Sequence, residues 1–390
     1  MGTSVSGDEM NPQEVDGSEI PENGVTPGDE VIFLAPPWKL MWWKFREHKL
    51  AVTGAIVVLI MYSIALFAGF IAPYGTTQRL QQPLAPPQIP RFISEDGFSL
   101  RPFVYGLKGE LDRTTFERVY VPDTSVRYPV RFFVRGTPYK FLGLIPTNLR
   151  LFGVPEGGTV YLMGTDRLGR DVFSRMIVGA QVSLTIGLVG VFMSLIFGIV
   201  LGGMSGYFGG TVDNIIQRLI EMLQSFPTIP LWMALAAAMP PFWSPVMVYF
   251  AITIILSLVG WTSLARVVRG RFLSLREEDF VVAARLSAAT EARIIRKHLL
   301  PSFTSHIIAS ITLSIPGMIL AETALSFLGV GMRPPAVSWG VMLQDAQNIY
   351  SVVMAPWLML PGIPVVVTVL AFNFLGDGLR DAADPYAGLN

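Results

Sequence analysis

Residues 176–212 read MIVGAQVSLTIGLVGVFMSLIFGIVLGGMSGYFGGTV, a run without a single charged side chain. A helix needs about 20 apolar residues to cross the ~30 Å hydrocarbon core of a bilayer, and this run is longer than that. Buried helices of a large soluble protein are the alternative, but charge-free runs of this length are not typical of them. The run therefore predicts a protein that lies in a membrane.

Further charge-free runs on both sides of this one extend the same pattern. The run 222–265 is long enough for two spans, and Pro240, Pro241 and Pro245 supply the break between them. The predicted spans are residues 50–72, 177–203, 213–239, 246–266, 304–329 and 357–376. We therefore predict an all-α integral membrane fold of six transmembrane helices, with a β-containing insertion between the first two.

Composition agrees with this class. Only 15% of the residues are charged, whereas a soluble domain carries about 25%. The 29 basic and 29 acidic residues balance, so the chain lacks the basic excess of a nucleic-acid-binding protein. It has no Cys, which excludes disulfides and thiolate metal sites. Phosphate-binding, nucleophile-elbow and HExxH motifs are absent, and we expect no catalytic residue, metal or cofactor in this chain.

Lys and Arg residues indicate the orientation. Basic residues cluster just before the first predicted span and again between the fourth and fifth spans. Short basic loops remain in the cytoplasm, so both clusters and both termini are predicted to be cytoplasmic. The predicted units are a disordered acidic cytoplasmic tail (1–36), an amphipathic entry with the first helix (37–72), an external insertion (73–165), helices two to six with the loop 271–301 (166–376), and a cytoplasmic tail (377–390).

Strands are predicted within the insertion. From Val126 to Leu142 the sequence alternates Val, Tyr and Phe with Arg, which is typical of strands. Gly136, Thr137 and Pro138 lie in the middle of this stretch and predict a turn there. We expect a small β-containing unit that serves as a docking surface or as a structural cap.

The cytoplasmic loop reads RFLSLREEDFVVAARLSAATEARIIRKHLLPS from 271 to 302 and is too polar to span. Ser274 and Glu277 have the spacing of a capping box, and Thr290 with Glu291 predicts the start of a second short helix. Small residues around one aromatic side chain share a helical face, which suits insertion into a groove of another protein. The residues expected to make this contact are Glu278, Asp279, Phe280, Ala283, Ala284, Arg285, Ser287, Ala288 and Arg293. A lipid-facing amphipathic elbow is the alternative.

A second polar motif, GTDRLGRD at 164–171, precedes the second span. Its charged residues Asp166, Arg167, Arg170 and Asp171 are expected either to contact a protein at the external mouth or to form a self-contained cap of salt bridges at the start of the helix. The residue pattern leaves both interpretations open.

Three polar residues of the fifth span are candidates for a transport pathway. Ser310 and Ser314 are four residues apart and therefore share a helical face, which lines a conduit or packs against another helix. Glu322 is acidic within apolar sequence, and an intramembrane carboxylate is costly enough to suggest function. The alternative places Glu322 near the external end of the helix, bonded to a neighbouring helix.

The loop 271–302 resembles the cytoplasmic coupling loop of ABC importer permeases. Further motifs follow in the family's order: GTDRLGRDVFSR (164–175), SGYFGG (205–210), ETALSFLGVGMRPPAVSWGVML (322–343) and NFLGDGLRDAADP (373–385). The resemblance covers about residues 51–385 and is greatest to the second permease subunit of dipeptide and oligopeptide importers.

This resemblance implies a multi-pass permease in the inner membrane of a bacterial or archaeal cell, surrounded by lipid. The implied partners are a homologous second permease, two cytoplasmic ATPase subunits that hold ATP and Mg, and an external solute-binding protein. The chain is then a transport subunit, not an enzyme, and forms half of the pathway for dipeptides or oligopeptides. An oligosaccharide or other small solute carried by the same machinery, and an ion-coupled secondary transporter, are the alternatives.

Two positions depart from the family's loop pattern. Val282 stands where the family has Glu, and Ala288 stands where it has Gly. Because Ala pays a steric cost at positive φ that Gly does not, we expect a continuous or differently bent elbow. The insertion is also longer than expected for peptide importers, which leaves the solute open.

Overall fold

The computed structural model describes residues 37–94, 97–111, 113, 118–155 and 157–383. The predicted tail at residues 1–36 lies outside the described residues. The helices are α1 (Pro37–Glu47), α2 (Lys49–Leu66), α3 (Ala68–Ile71), α4 (Val172–Phe208), α5 (Gly210–Ser225), α6 (Thr228–Ala237), α7 (Pro245–Leu275), α8 (Asp279–Leu286), α9 (Glu291–Ile294), α10 (Leu300–Ser302), α11 (Thr304–Phe327), α12 (Trp339–Gln344), α13 (Ile349–Met354) and α14 (Gly362–Ala383).

Side-chain caps explain where two of the spans begin. His48 accepts the Ala51 amide through Nδ1 at 3.1 Å before α2. Asp171 accepts the Ser174 amide at 2.7 Å before α4. Each cap satisfies an amide that has no partner within its own helix.

Five of the six predicted spans are confirmed, and the third has a different shape. Within the described residues, α2, α4, α7, α11 and a helical segment over Pro356–Ala383 are each long and apolar enough to cross a membrane. The third span is instead a pair of helices, α5 and α6, that meet at a bend of 85°. The break falls where Pro227 precedes α6 and contributes no amide to a helical ladder.

Two helix ends differ from the prediction. The fourth span was expected to end near residue 266, but α7 continues to Leu275. Ser274 therefore lies inside this helix, and the predicted capping box with Glu277 is wrong. The sixth span was expected to end at 376, whereas α14 continues to Ala383. Part of the predicted C-terminal tail is therefore helical.

Small residues allow α4 and α7 to pack closely. A Cβ added at Gly202 would lie 2.4 Å from the Ala265 carbonyl oxygen, and one at Gly206 would lie 2.6 Å from the Arg269 carbonyl oxygen. Backbones of neighbouring membrane helices come this close only where side chains are small. This stripe holds α4 and α7 together along their shared half.

The insertion contains two antiparallel sheets. Strands β1 (Arg91–Ser94), β2 (Gly97–Leu111) and β3 (Arg118–Pro129) form one sheet in that order, and β4 (Arg131–Phe141) pairs with β5 (Ile145–Gly153) in the other. The predicted turn at Gly136–Pro138 is wrong. The register of β4 shifts between Arg135 and Tyr139, so these residues form a bulge within the strand. The turn instead follows Phe141, where Leu142 and Gly143 have positive φ.

The spans give the molecule two ends. The Tyr74 amide, at the start of the insertion, donates to Ser174 in the first turn of α4 at 3.0 Å. At its other end α4 brings Tyr207 into a cluster with Phe272 near the end of α7. We call these ends the insertion side and the elbow side, where the elbow is residues 276–303.

Candidate functional site

The elbow is built from α8, α9, a π-helical segment over Ile295–Leu299, and α10. Glu278 occupies the cap position of α8, and Asp279 lies in its first turn, where a negative charge favours the helix dipole. Thr290 occupies the cap position of α9, as the sequence predicts. The elbow thus consists of short ordered turns rather than an extended loop.

One side of the elbow is buried against the ends of the spans. Val281 and Ile294 are buried in a cluster with Phe272 of α7 and Tyr207 of α4. The Arg285 guanidinium lies 5.5 Å from the centre of the Tyr207 ring, within the range of a cation–π contact. The inner side of α8 therefore packs with the ends of both α4 and α7.

The opposite side of the elbow carries exposed apolar residues. Phe280 and Val282 are each 41% exposed, and Leu286 is 83% exposed. Of the small residues predicted to surround Phe280, Ala283 and Ser287 are exposed, whereas Ala284 packs on the buried cluster. Val282 and Leu286 were not among the predicted contact residues. They lie four residues apart on α8, and this spacing was the available signal.

Ala288 ends α8 with a φ of +57°. The expectation of a continuous or differently bent elbow is therefore wrong, because the chain keeps a left-handed turn without Gly. The Ala288 amide donates to the Arg285 carbonyl at 2.9 Å, and the Ala289 amide donates to that of Ala284 at 3.1 Å. These bonds close the end of the helix around the strained residue.

An ion pair ties the elbow-side ends of three helices. Arg269 of α7 donates from Nε to Oδ1 of Asp213 at 2.5 Å and from its terminal nitrogen to Oδ2 at 2.6 Å. Asp213 belongs to α5 and also accepts a hydrogen bond from Ser205 of α4. This pair was not predicted because its members are far apart in the chain. The available signal was an acidic residue, Asp213, at the start of a predicted span.

The GTDRLGRD motif lies at the insertion-side start of α4 as a closed polar cluster. Asp166 is buried and accepts from the Leu168 amide at 2.9 Å and from Arg170 Nε at 2.7 Å. It also pairs with the buried Arg175, which was not predicted. Arg167 Nε donates to Ser351 of α13 at 2.6 Å. Most of the motif's polar groups are thus bonded within the chain, and a contact with a partner stays a prediction.

Asp171 belongs to the same cluster, and its carboxyl has a raised pKa. It is buried, and burial raises the pKa of its carboxyl to about 7. One oxygen accepts the Ser174 amide, while Oδ1 has no hydrogen-bond partner among the described residues. Burial likewise raises the pKa of Asp345, beside the same cluster, and the Asp166 carboxylate adds to that increase.

Glu322 lies five residues before the insertion-side end of α11 and is fully buried. It accepts from Ser326 at 2.8 Å and from Ser183 of α4 at 3.2 Å. Ser183 in turn accepts the Trp339 amide at 3.1 Å, and Ser326 accepts the Met332 amide at 3.0 Å. Glu322 thus links α11 to a neighbouring helix and to the segment before α12, which was the alternative interpretation. Its pathway role stays a prediction.

Ser310 and Ser314 share a face of α11, which continues through Pro316. Ser314 is exposed and Ser310 is half-buried. The Ser314 hydroxyl donates to the Ser310 carbonyl at 2.8 Å, which satisfies it within the helix. This face of small residues is only partly covered in the single chain. It suits either a conduit or another helix, so its role stays a prediction.

Two family models match the chain. Residues 198–387 match the binding-protein-dependent transport system inner membrane component, and residues 36–87 match the N-terminal transmembrane domain of oligopeptide transport permease C. The elbow and the helices around it lie within the first range. Most of the insertion lies between the two ranges.

Named relatives agree with these models. The dipeptide transport system permease protein DppC of Bacillus subtilis is 40% identical over 57% of this chain and 68% of its own length. The oligopeptide transport system permease protein OppC of Haemophilus influenzae is 39% identical over 58% and 70%. The glutathione transport system permease protein GsiD of Escherichia coli is 33% identical over 90% of both chains. The chain therefore belongs to the family of binding-protein-dependent transport system inner membrane components and is a multi-pass inner-membrane permease of the ABC importer type.

Proposed function

We propose that this chain forms half of the translocation pathway of an ATP-driven importer for dipeptides or oligopeptides. The relatives named for dipeptides, oligopeptides and glutathione support the choice of solute class. A homologous permease supplies the other half, and two ATPase subunits, which hold ATP and Mg, attach to the elbow. An external solute-binding protein delivers the solute on the insertion side.

The observation that carries this proposal is the two-sided elbow. Its inner side packs Val281 against the ends of α4 and α7, while its outer side exposes Phe280 and Leu286. The sequence has no phosphate-binding loop, so energy from ATP has to arrive through contact with another subunit. An exposed apolar face on a rigidly attached short helix is suited to receive that contact.

The orientation follows from the same assignment. The elbow and both termini lie in the cytoplasm, and the insertion lies outside. Single cysteines at Ser99 and Ser274 test this cleanly because the natural chain has none. We expect an impermeant maleimide to label position 99 from outside and position 274 only after the membrane is opened. Labelling of both positions from the same side would refute the orientation.

Reconstitution tests the function itself. The chain is purified with the subunits that co-purify with it and placed in liposomes with a dipeptide, a tripeptide or an oligosaccharide. We expect peptide uptake that requires both ATP and a binding protein. Uptake by the chain alone, driven by an ion gradient, would instead indicate a secondary transporter, and ATP-dependent uptake of the oligosaccharide alone would overturn the solute class.

A further inference from the structure

The β4–β5 hairpin packs against the insertion-side end of the first span through two aromatic pairs. The rings of Phe70 and Phe133 lie 6.2 Å apart, and those of Phe67 and Phe141 lie 5.8 Å apart. Tyr139 fills the space between them, since a Cβ at Gly69 would lie 2.4 Å from its ring. The hairpin and the helix end therefore lie side by side.

These pairs define the direction of the hairpin. Along the first span, Phe67 lies deeper in the membrane than Phe70, because the chain emerges toward the insertion. Phe141 lies next to the hairpin turn, and Phe133 lies near the start of β4. The residue close to the turn thus contacts the deeper position. The turn therefore points back into the bilayer, not away from it.

The depth of the turn follows from the length of the span. The apolar run of the first span starts at Leu50, and Phe67 follows 17 residues later. At about 1.5 Å per residue this distance is about 26 Å. The hydrocarbon core is about 30 Å thick, so the contact between Phe67 and Phe141 lies within its outer part. The turn after Phe141 extends further inward.

A cavity adjoins both the hairpin turn and the insertion-side end of the first span. Leu142 of the turn and Leu66 of α2 line the same 300 Å³ space, together with Gln181 of α4. The Gln181 side chain donates to the Ala65 carbonyl at 2.9 Å, so these residues share one level. Gln181 is about 14 Å along α4 from Val172, at 1.5 Å per residue. The cavity extends to Gly75, beyond the first span, and Leu142 lies along it with Leu66, the last residue of α2.

The turn has the chemistry of a lipid-facing element. Leu142, Leu144 and Ile145 are 50%, 81% and 59% exposed. Between residues 136 and 149 Lys140 is the sole charged residue, and its long side chain can reach back to the headgroups. The Gly143 amide donates to the Lys140 carbonyl at 3.2 Å and the Leu144 amide donates to that of Phe141 at 3.1 Å, so these two amides are satisfied within the turn.

Arg150 of β5 fixes this arrangement. It is buried, and one terminal nitrogen donates to the carbonyls of Gly69 and Ala72, both at 2.8 Å. The other donates to the Thr137 carbonyl at 2.8 Å, and the guanidinium lies 4.5 Å from the centre of the Tyr139 ring. The last carbonyls of the first span lack helical partners, and Arg150 joins them to the hairpin.

We propose that the β4–β5 hairpin is a second membrane anchor, whose turn at Leu142–Ile145 inserts into the acyl chains of the insertion-side leaflet beside the first span. The exposed surface of that span continues to the hairpin, and its apolar residues are Ile56, Leu59, Ile60, Leu66 and Phe67. Because the surface of the turn continues that of the first span and lies at the same depth in the bilayer, lipid chains cover it. The anchor holds the insertion at a fixed height above the bundle.

Site-directed fluorescence tests the anchor in the full complex. Cysteine replaces Leu144, or in a second variant Leu142, in the natural cysteine-free chain and is labelled with an environment-sensitive dye. Val121 of β3 is the matched control. Val121 is comparably exposed, at 44%, but belongs to the other sheet, where it pairs with Lys108 of β2. The neighbouring Leu107 carbonyl accepts a hydrogen bond from Gln82. Quenching is measured with aqueous iodide and with lipids that carry a doxyl group on the acyl chain, without added binding protein.

We expect doxyl lipids to quench the dye at both turn positions several-fold more than at Val121, with the order reversed for iodide. Iodide quenching at the turn equal to that at Val121, without doxyl quenching, would place the turn in water and overturn the anchor. Protection from both quenchers would show that another protein covers the turn, and this result would also overturn it.

Discussion

The two ends of α4 are held in opposite ways. At the insertion side, Asp166 is buried and pairs with Arg175 and Arg170, and most of the polar groups around it are bonded within the chain. At the elbow side, Tyr207 packs on Val281, but the outer face of α8 leaves Phe280 and Leu286 exposed. One end is nearly complete in the single chain, whereas the other presents apolar surface without a partner among the described residues.

This difference indicates where a partner acts. A buried, satisfied network resists movement because each broken bond leaves a polar group in an apolar setting. A short helix that is buried on one side and exposed on the other can be pushed as a unit. We therefore interpret the insertion side as the fixed end of α4 and the elbow side as the driven end.

The largest effect is expected at the fixed end, from Glu322→Ala. The substitution leaves the hydroxyls of Ser183 and Ser326 without their acceptor in a buried site, and each costs about 1–3 kcal/mol. We expect a clear loss of thermal stability in detergent, measured by the loss of monodisperse protein on heating. Glu322→Gln is the control and should retain most of the stability. Equal stability of Glu322→Ala and the natural chain would contradict a fixed end.

A pH-dependent effect is expected at Asp171. Its folded pKa of about 7 exceeds the value of about 3.9 expected in the unfolded chain. The folded state therefore binds the proton more tightly, and its stability falls as the pH rises from about 4 to about 7. Asp171→Asn should keep the cap and remove this fall, so that the variant is more stable than the natural chain above pH 8.

Melting curves at pH 5 and pH 8 measure this effect. Asp213 provides the comparison from the other end, because its carboxylate is already paired with Arg269. Asp213→Asn should destabilise the protein by about 1 kcal/mol or more at both pH values, since it breaks a charge-assisted bond. Parallel pH profiles for the natural chain and Asp171→Asn would show that the buried carboxyl does not titrate.

The smallest effect is expected at the driven end, from Ala288→Gly. Ala288 has a φ of +57°, and Gly adopts that conformation without a steric cost. Removing the strain is worth about 1 kcal/mol, partly offset by the greater freedom of Gly in the unfolded chain. We expect slightly slower proteolysis of the elbow, with Ala289→Gly as a control that gives no protection. Faster cleavage of Ala288→Gly would show that the turn is not strained.

The sequence predicted the spans well because a membrane span is encoded locally. About 20 consecutive apolar residues suffice to recognise one, and the start of α11 at Thr304 agrees with the predicted 304. The short helices of the elbow could also be predicted from local sequence, since Thr290 and the acidic first turn are ordinary signals for the start of a helix. The bend between α5 and α6 lies at Pro227. The sequence shows this proline but does not determine the angle of the bend.

Contacts between distant residues could not be predicted in this way. Arg150 lies 81 residues from Gly69, and Arg269 lies 56 residues from Asp213. Nothing in the local sequence pairs them. The hairpin turn was misplaced because Gly136 and Pro138 are stronger turn residues than Leu142, and only pairing of β4 with β5 shows that they form a bulge.

The central claim is that force enters through the exposed face of α8, and Phe280→Asp tests it most directly. Because Phe280 is already 41% exposed, the chain itself should fold normally. If the side chain is buried in a partner, its loss costs about 3–5 kcal/mol, which weakens association by a few orders of magnitude. An unpaired charge in that contact adds to the loss.

The control is Phe242→Asp, which changes an aromatic residue that is 84% exposed near the insertion-side start of α7. The measurement is the amount of ATPase subunit retained on the purified complex, together with its solute-stimulated ATP hydrolysis. We predict that Phe280→Asp loses both, while Phe242→Asp retains the ATPase subunit. Full retention and normal stimulation in Phe280→Asp would contradict the claim that α8 is the driven end of the permease.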